Sequence, residues 1–209
     1  MTPIASQSQP SAPMAALARP ISRSQRLMQA TRNAHDGLDN RIISAEPFRD
    51  RDHYVRLLEM QYRFHRAIEG LYSRSLPLPA TLDLPARRRL DRVRQDLEDL
   101  GRSPPEDNGS RPFHTTRVDA AMAIGWLWVA EGSTLGAASL LKRAAALGLD
   151  ETFGARHLAG HPDGRARSWK HFTAAVDALD LDQVGDALML NGARDAFLYV
   201  RRLADDSFA

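Results

Sequence analysis

A chain of 209 residues with 43% hydrophobic and 26% charged side chains can bury one core of its own, and a net charge of +2 is too mild to argue for nucleic acid as its partner. The absence of cysteine excludes a disulfide scaffold, a cysteine-ligated zinc or iron–sulfur site, and a thioether- or thiolate-held porphyrin, and it suits a reducing cytoplasm. The longest apolar run, Ala120 to Ala130, ends at Glu131 and is too short to cross a bilayer, so a soluble protein is expected.

Residues 1–20, rich in Ser, Pro, Ala and Gln, read as a disordered tail ahead of one domain over 21–209. Strand patterns are nearly absent, which predicts an all-α domain. A first helix is expected from a Ser22 cap to about Ile43, with Met28, Thr31, His35, Leu38 and Ile42 on its apolar face. A second should run from Arg51 to about Ser73, with Tyr54, Leu57, Leu58, Gln61, Tyr62, His65 and Ile68 inward. After a proline-punctuated loop, a third is expected over about Ala86 to Leu100. Its early arginines (Arg87, Arg88, Arg89, Arg92, Arg94) and late acids (Asp96, Glu98, Asp99) oppose the helix dipole, and they read as a solvated face. A fourth helix should start near Thr116 and reach Leu147, about 48 Å if unbroken, with a bend at its glycines. Two more follow, near Arg165–Leu179 and Asp182–Ala204.

The fourth helix poses a question. GWLWVAEGSTLGAASLLKRAA holds Gly125, Gly132 and Gly136, and each interior glycine costs a helix roughly 0.5–1 kcal/mol relative to alanine. Small residues four apart admit a neighbouring helix. They also admit a flat, wide ligand that side chains would hold off. Such a ligand needs a second wall, and a porphyrin needs an iron ligand. Among the seven histidines, His53, His114, His157, His161 and His171 fall at turns, helix ends or surface positions, and His65 reads as core or rim. His35 lies on the apolar face of the first helix. There it is either a satisfied core residue or a ligand to heme iron. No HExxH, GxSxG, P-loop or di-iron pattern competes, and no flavin or nicotinamide motif is visible.

These residues together resemble bacterial heme oxygenases of the heme-acquisition and phytochrome-associated branch. The resemblance is carried by Gly125 to Gly160, by SQRLMQATRNAHDGLD around His35, by EPFRDRDHYVRLLEMQYRFH, by DLEDLG and by Trp169-Lys170-His171-Phe172, in that order along the chain. It implies a compact helical fold clamping heme between a proximal and a distal helix, with His35 as axial ligand to the iron. It implies catalytic roles for Gly132 and Gly136 as distal glycines, with Gly125 setting close packing. Arg89, beside Arg87 and Arg88, is expected in the distal water network. Trp128 and Ser133 are expected along the pocket, and Lys142 and Arg143 near the propionates.

The implied reaction consumes heme and O2 and yields biliverdin, ferrous iron and carbon monoxide. Bare backbone would crowd the oxygen toward the ring edge, and ordered water would bring the proton. Electrons would come from an external ferredoxin or flavin reductase. A basic surface around Arg26, Arg32, Arg165, Arg167 and Lys170 could meet such a donor, although single surface arginines are more often simply solvated. Two rivals remain: a non-catalytic heme carrier or store, which would keep its heme under reductant and air, and a helical nucleic-acid-binding or interaction domain using the arginines of the third helix.

Overall fold

The computed structural model describes residues 21–73, 76–106, 112–113 and 118–209; the expected tail, residues 1–20, His114 and Thr116 lie outside them. Among the described residues there are six α-helices and no strand.

Helix α1 (Arg23–Ser44) starts where its cap predicts. Ser22 Oγ accepts from the Gln25 N–H, and the Ser22 N–H donates to Gln25 Oε1, so two orphan donors are satisfied reciprocally. Its buried side is Leu27, Thr31 and Leu38. Thr31 is tolerated there because its hydroxyl donates to the Leu27 carbonyl at 2.8 Å. Thr31 and Leu38 of the expected stripe are buried and Ile42 packs on the core, but Met28 and His35 are exposed and Leu27 is buried in place of Met28. Arg23 and Ser24 tie the start of α1 to the stretch from Asp177 to Asp186, where the last two helices join. Arg23 donates to Asp186 and to the Leu181 carbonyl, and the Ser24 N–H donates to Asp177 at 2.7 Å.

Helix α2 (Arg51–Ser73) runs through the core, with Tyr54, Leu58, Met60, Ile68 and Leu71 buried. The segment after it corrects the expected third helix. Leu84–Arg87 is a short 3₁₀ turn, Arg88 is extended, and α3 spans only Leu90–Asp99. Arg87 is buried rather than solvated: its guanidinium donates to the Leu82 carbonyl at 2.6 Å and to Glu131 at 2.7 Å, and those bonds hold the chain out of helix. The late acids also have partners. Asp96, fully buried, accepts from the backbone N–H groups of Arg156 and His157, and Asp99 accepts from that of Gly154. Their bonds to this loop offset the dipole penalty.

Helix α4 (Ala120–Ala145) begins at an Asp119 cap and is buried all round from Ala123 to Glu131. At the expected bend the helix is unbroken. The hydroxyls of Ser133 and Thr134 turn back onto the Ala130 and Glu131 carbonyls, both at 2.7 Å, a contact that tends to curve helices. Helices α5 (Arg165–Asp177) and α6 (Gln183–Ser207, capped by Asp182) complete the domain. α6 is the shared support: α4 packs on it most extensively, and α1 packs on it too.

Candidate functional site

The three glycines of α4 do different things. A Cβ on Gly125 would collide with the backbone of Met189 and Gly192 and lie 2.5 Å from the Ala193 nitrogen. Gly192 on α6 answers it: a Cβ there would strike the Met122 carbonyl. This pair is helix packing, as expected of Gly125. Gly136 is the opposite case, since a Cβ there would meet nothing within 4 Å. At Gly132 it would meet only the edge of the Trp169 indole, at 3.7 Å. The close-packing reading therefore fails for Gly132 and Gly136. From Gly132 to Leu140 the helix keeps only Ala137 buried, while Ser133, Gly136 and the apolar Leu135 are exposed.

A second open face lies on α1. The His35 side chain is 58% exposed and Met28 is 52% exposed. The imidazole stands edge-on to Phe197 of α6, with ring centroids 6.1 Å apart. Its Nδ1 is 3.4 Å from Asp39 and 3.7 Å from Asp36, beyond hydrogen-bond strength. Two helices that share α6 as support thus each present an unpartnered face, one bearing an imidazole and the other bare backbone.

Behind α4 stands an aromatic wall. Trp128 is buried and lies 4.7 Å from Trp169, which stacks on Phe172 at 5.8 Å. At the C-terminal end of α4, the Arg143 guanidinium sits 4.6 Å from the Phe48 ring, and Lys142 is exposed beside it.

The residues that pattern alone missed form a buried polar chain. Glu131, next to Gly132, pairs with Arg87, and both side chains are under 10% exposed (7% and 6%). Burial pushes the Glu131 carboxyl above its usual range against the pull of Arg87. Tyr72, buried beside Glu131 and Arg89 in electrostatic terms, has its hydroxyl pushed well up by burial. His65 is pushed down to about 3 by burial, with Arg89 and His157 adding to the effect. His157, buried rather than at the surface, bonds through Nδ1 to Asp96 at 2.8 Å. Three buried atoms of this polar chain, His65 Nδ1, Tyr72 Oη and His157 Nε2, have no hydrogen-bond partner among the described residues. Such atoms are what internal water binds. Arg89 adjoins the chain and donates to the His157 carbonyl at 2.6 Å and the Ala159 carbonyl at 3.3 Å. One sequence signal existed: a lone carboxylate, Glu131, closing an eleven-residue apolar run has to be buried with a cation.

The arrangement fits a flat apolar ligand carrying its own metal. No group of three or more His, Asp or Glu among the described residues could hold a bare ion. A single exposed imidazole offers one bond, which suits an iron already held by four porphyrin nitrogens. The glycine face leaves space where any side chain would intrude.

Fold and site together define an all-helical ligand-clamping domain built around a glycine-faced helix. The family model described as heme oxygenase matches residues 22–206. Heme oxygenase PigA of Pseudomonas aeruginosa is 43% identical over 187 residues, covering 90% of this chain and 93% of that protein. The NO- and CO-bound heme oxygenase of Neisseria meningitidis superposes with a TM-score of 0.81 at 36% identity, covering 90% of this chain and 92% of that one. Heme oxygenase-1 of the cyanobacterium Synechocystis, in complex with heme, shares the fold at a TM-score of 0.69 and 17% identity, over 89% and 92% of the two chains. The chain belongs to the heme oxygenase family.

Proposed function

We propose that this heme oxygenase opens heme oxidatively to biliverdin, ferrous iron and carbon monoxide, using O2 and electrons from an external donor, with His35 as the axial ligand. The observation that carries the reading is the pair of open faces, an exposed imidazole on α1 and side-chain-free backbone at Gly132 and Gly136 on α4. Bound heme supplies the iron that activates oxygen and the ring that is cleaved. The protein supplies the rest. His35 holds the ring from one side, with Phe197 limiting the tilt of its imidazole. Gly132 and Gly136 let main chain close over the other side, and Ser133 lies between them on the same exposed turn. Trp128, backed by Trp169, forms an apolar wall that keeps bulk water off. Lys142 and Arg143 meet the propionates, and the Phe48 ring beneath Arg143 restricts where that cation can go.

Proton supply is assigned to the buried chain behind α4. Glu131 lies one residue from Gly132, and burial raises the proton affinity of its carboxyl against the pull of Arg87, which suits it to the role of proton donor. Arg87 orients Glu131. Arg89, Tyr72 and His65 hold the water that refills it. Electrons come from a ferredoxin or flavin reductase of the cytoplasm. Of the five basic residues read as a donor surface, Arg26 is engaged with Asp186 and Arg165 with the Thr134 and Leu158 carbonyls, leaving Arg32, Arg167 and Lys170 exposed for docking. No helix among the described residues is long and apolar enough to cross a membrane.

The test is to load the full chain with hemin and supply reductant and air. Loss of the Soret band with appearance of biliverdin is expected. A retained band would make the protein a carrier. His35→Ala should remove the histidine signature from the ferric spectrum, and an unchanged spectrum would dismiss His35 as ligand.

A further inference from the structure

A second site lies on the side of α4 away from the glycine face. It is a cavity of about 30 Å³ where the start of α3, the middle of α4 and the start of α5 meet. Glu131 and Thr134 line it from α4. Arg87, Arg88, Arg89 and Arg92 line it from the 3₁₀ turn and α3, and His161, Arg165 and Ser168 close it.

The charges around it do not balance. Arg87 is paired with Glu131, the one carboxylate in the lining, and Arg88 turns to Glu69 at the surface. Arg89 makes no direct carboxylate bond among the described residues, although the Glu131 charge acts on it. It donates through one nitrogen to the His157 and Ala159 carbonyls. Arg165 likewise donates only to carbonyls, those of Thr134 and Leu158. Arg92 is exposed and makes no ion pair among the described residues. At His161, Nδ1 accepts from the Asp163 N–H at 3.1 Å, leaving Nε2 without a protein partner.

Four guanidiniums, Arg87, Arg89, Arg92 and Arg165, therefore line one small space that holds a single carboxylate, Glu131, already bonded to Arg87. Arg89 and Arg165 are partly out of water, and cations gathered this way repel one another unless an anion joins them. The guanidinium fork matches the edge of a tetrahedral oxyanion and accepts it through paired N–H donors. From this geometry we infer that the cavity is a binding site for a divalent oxyanion of the phosphate class, held by Arg89, Arg92 and Arg165 with His161 at the rim. Burial also holds the Arg89 guanidinium below its ordinary pKa, against the pull of Glu131 and with Arg92 and Arg165 adding to the effect, and a bound dianion would relieve it. The cavity shares Arg87, Arg89 and Glu131 with the proton supply proposed above but is not lined by Gly132 or Gly136, so it can be tested in the heme-free protein.

The experiment is calorimetric titration of the full heme-free chain with inorganic phosphate, and separately with glycerol phosphate, at fixed ionic strength set with chloride. Saturable binding of inorganic phosphate with one site per chain is expected, with a rise in melting temperature that chloride does not reproduce. Arg92→Ala should fold normally, because Arg92 is exposed and unpaired, and should bind phosphate about tenfold more weakly. Arg94→Ala is the control: that residue pairs with Asp91 outside the cavity and should bind as the parent does. Binding of glycerol phosphate as well would identify a phosphoryl group on a larger molecule as the natural ligand, and exclusion of it would identify the free ion. Either result meets the proposal. No saturable phosphate binding, or equal weakening in Arg92→Ala and Arg94→Ala, overturns it.

Discussion

At the scale of single residues, Gly136 and His65 make the sharpest claims. Because a Cβ on Gly136 meets nothing, Gly136→Ala should stabilise the heme-free protein by roughly 0.5–1 kcal/mol through helix propensity alone. The same methyl should weaken heme binding and slow its cleavage. Urea denaturation and hemin titration on one variant would show the two effects with opposite sign; loss of stability would mean that the face is packed after all. His65 is buried and neutral, with its folded pKa depressed from 6.5 to about 3. A base in that position contributes stability that is complete above about pH 6.5 and is lost as the pH falls toward 3, because the unfolded chain takes the proton first. Its share of the loss is up to ~1.4 kcal/mol per pH unit across that window. His65→Leu should flatten the acid limb of a stability–pH curve relative to the parent. Equal slopes would place the titrating group elsewhere.

At the scale of elements, α4 is held by α6 at one point where backbones nearly touch, Gly125 against Met189 and Gly192 against Met122. Gly125→Ala or Gly192→Ala has no room to relax, and each should cost about 1–3 kcal/mol by denaturant unfolding, the usual range for an overfilled core. The Arg87–Glu131 pair joins α4 to the turn before α3. Glu131→Ala leaves a buried guanidinium without its charge partner and should cost ~3–5 kcal/mol. Glu131→Gln keeps a hydrogen-bond acceptor, so it should spare more of the stability while lowering kcat at least tenfold with little change in heme affinity. A turnover rate equal to the parent's would remove Glu131 from proton supply. Helix starts were legible in the sequence at Ser22 and Asp182, whereas α4, expected from near Thr116, begins at Ala120 behind its Asp119 cap. The start of α3 was not legible. Ala86–Arg89 has good helix propensity, and only the bonds from Arg87 to Leu82 and Glu131 keep those residues out of helix. Both acceptors become visible only once the chain has folded.

For the whole molecule, the all-α class follows from periodicity, and the family from the motifs around His35 and Gly132. The inner face of α1 was drawn too wide, with Thr31 and Leu38 buried as expected but Met28 and His35 outside. Periodicity marks which residues are apolar, and an apolar residue on a ligand-facing edge looks the same as one on the core-facing edge. Met28 and His35 were therefore counted with Leu38 although they stand outside the core. The polar chain through His65, Tyr72 and His157 was hidden for a related reason: its members come from α2 and the loop before α5, and no local spacing connects them. Binding heme across these elements should stabilise the whole fold by mass action, about 2.7 kcal/mol at a ligand concentration a hundred times Kd. His35→Ala should reduce that gain in a thermal melt.

The junction of Gly125 with Gly192 bolts the N-terminal half of α4 to α6, where the helix is buried all round. Beyond Gly132 the support is one-sided: Ala137 and Ala144 are buried, Leu140 and Leu141 partly so, and most other residues are exposed. Amides on a stretch held from one side open more readily. In deuterium-exchange mass spectrometry of the ligand-free protein, amides from 133 to 141 should take up label well ahead of those from 124 to 131, and heme should slow the outer stretch far more than the inner one.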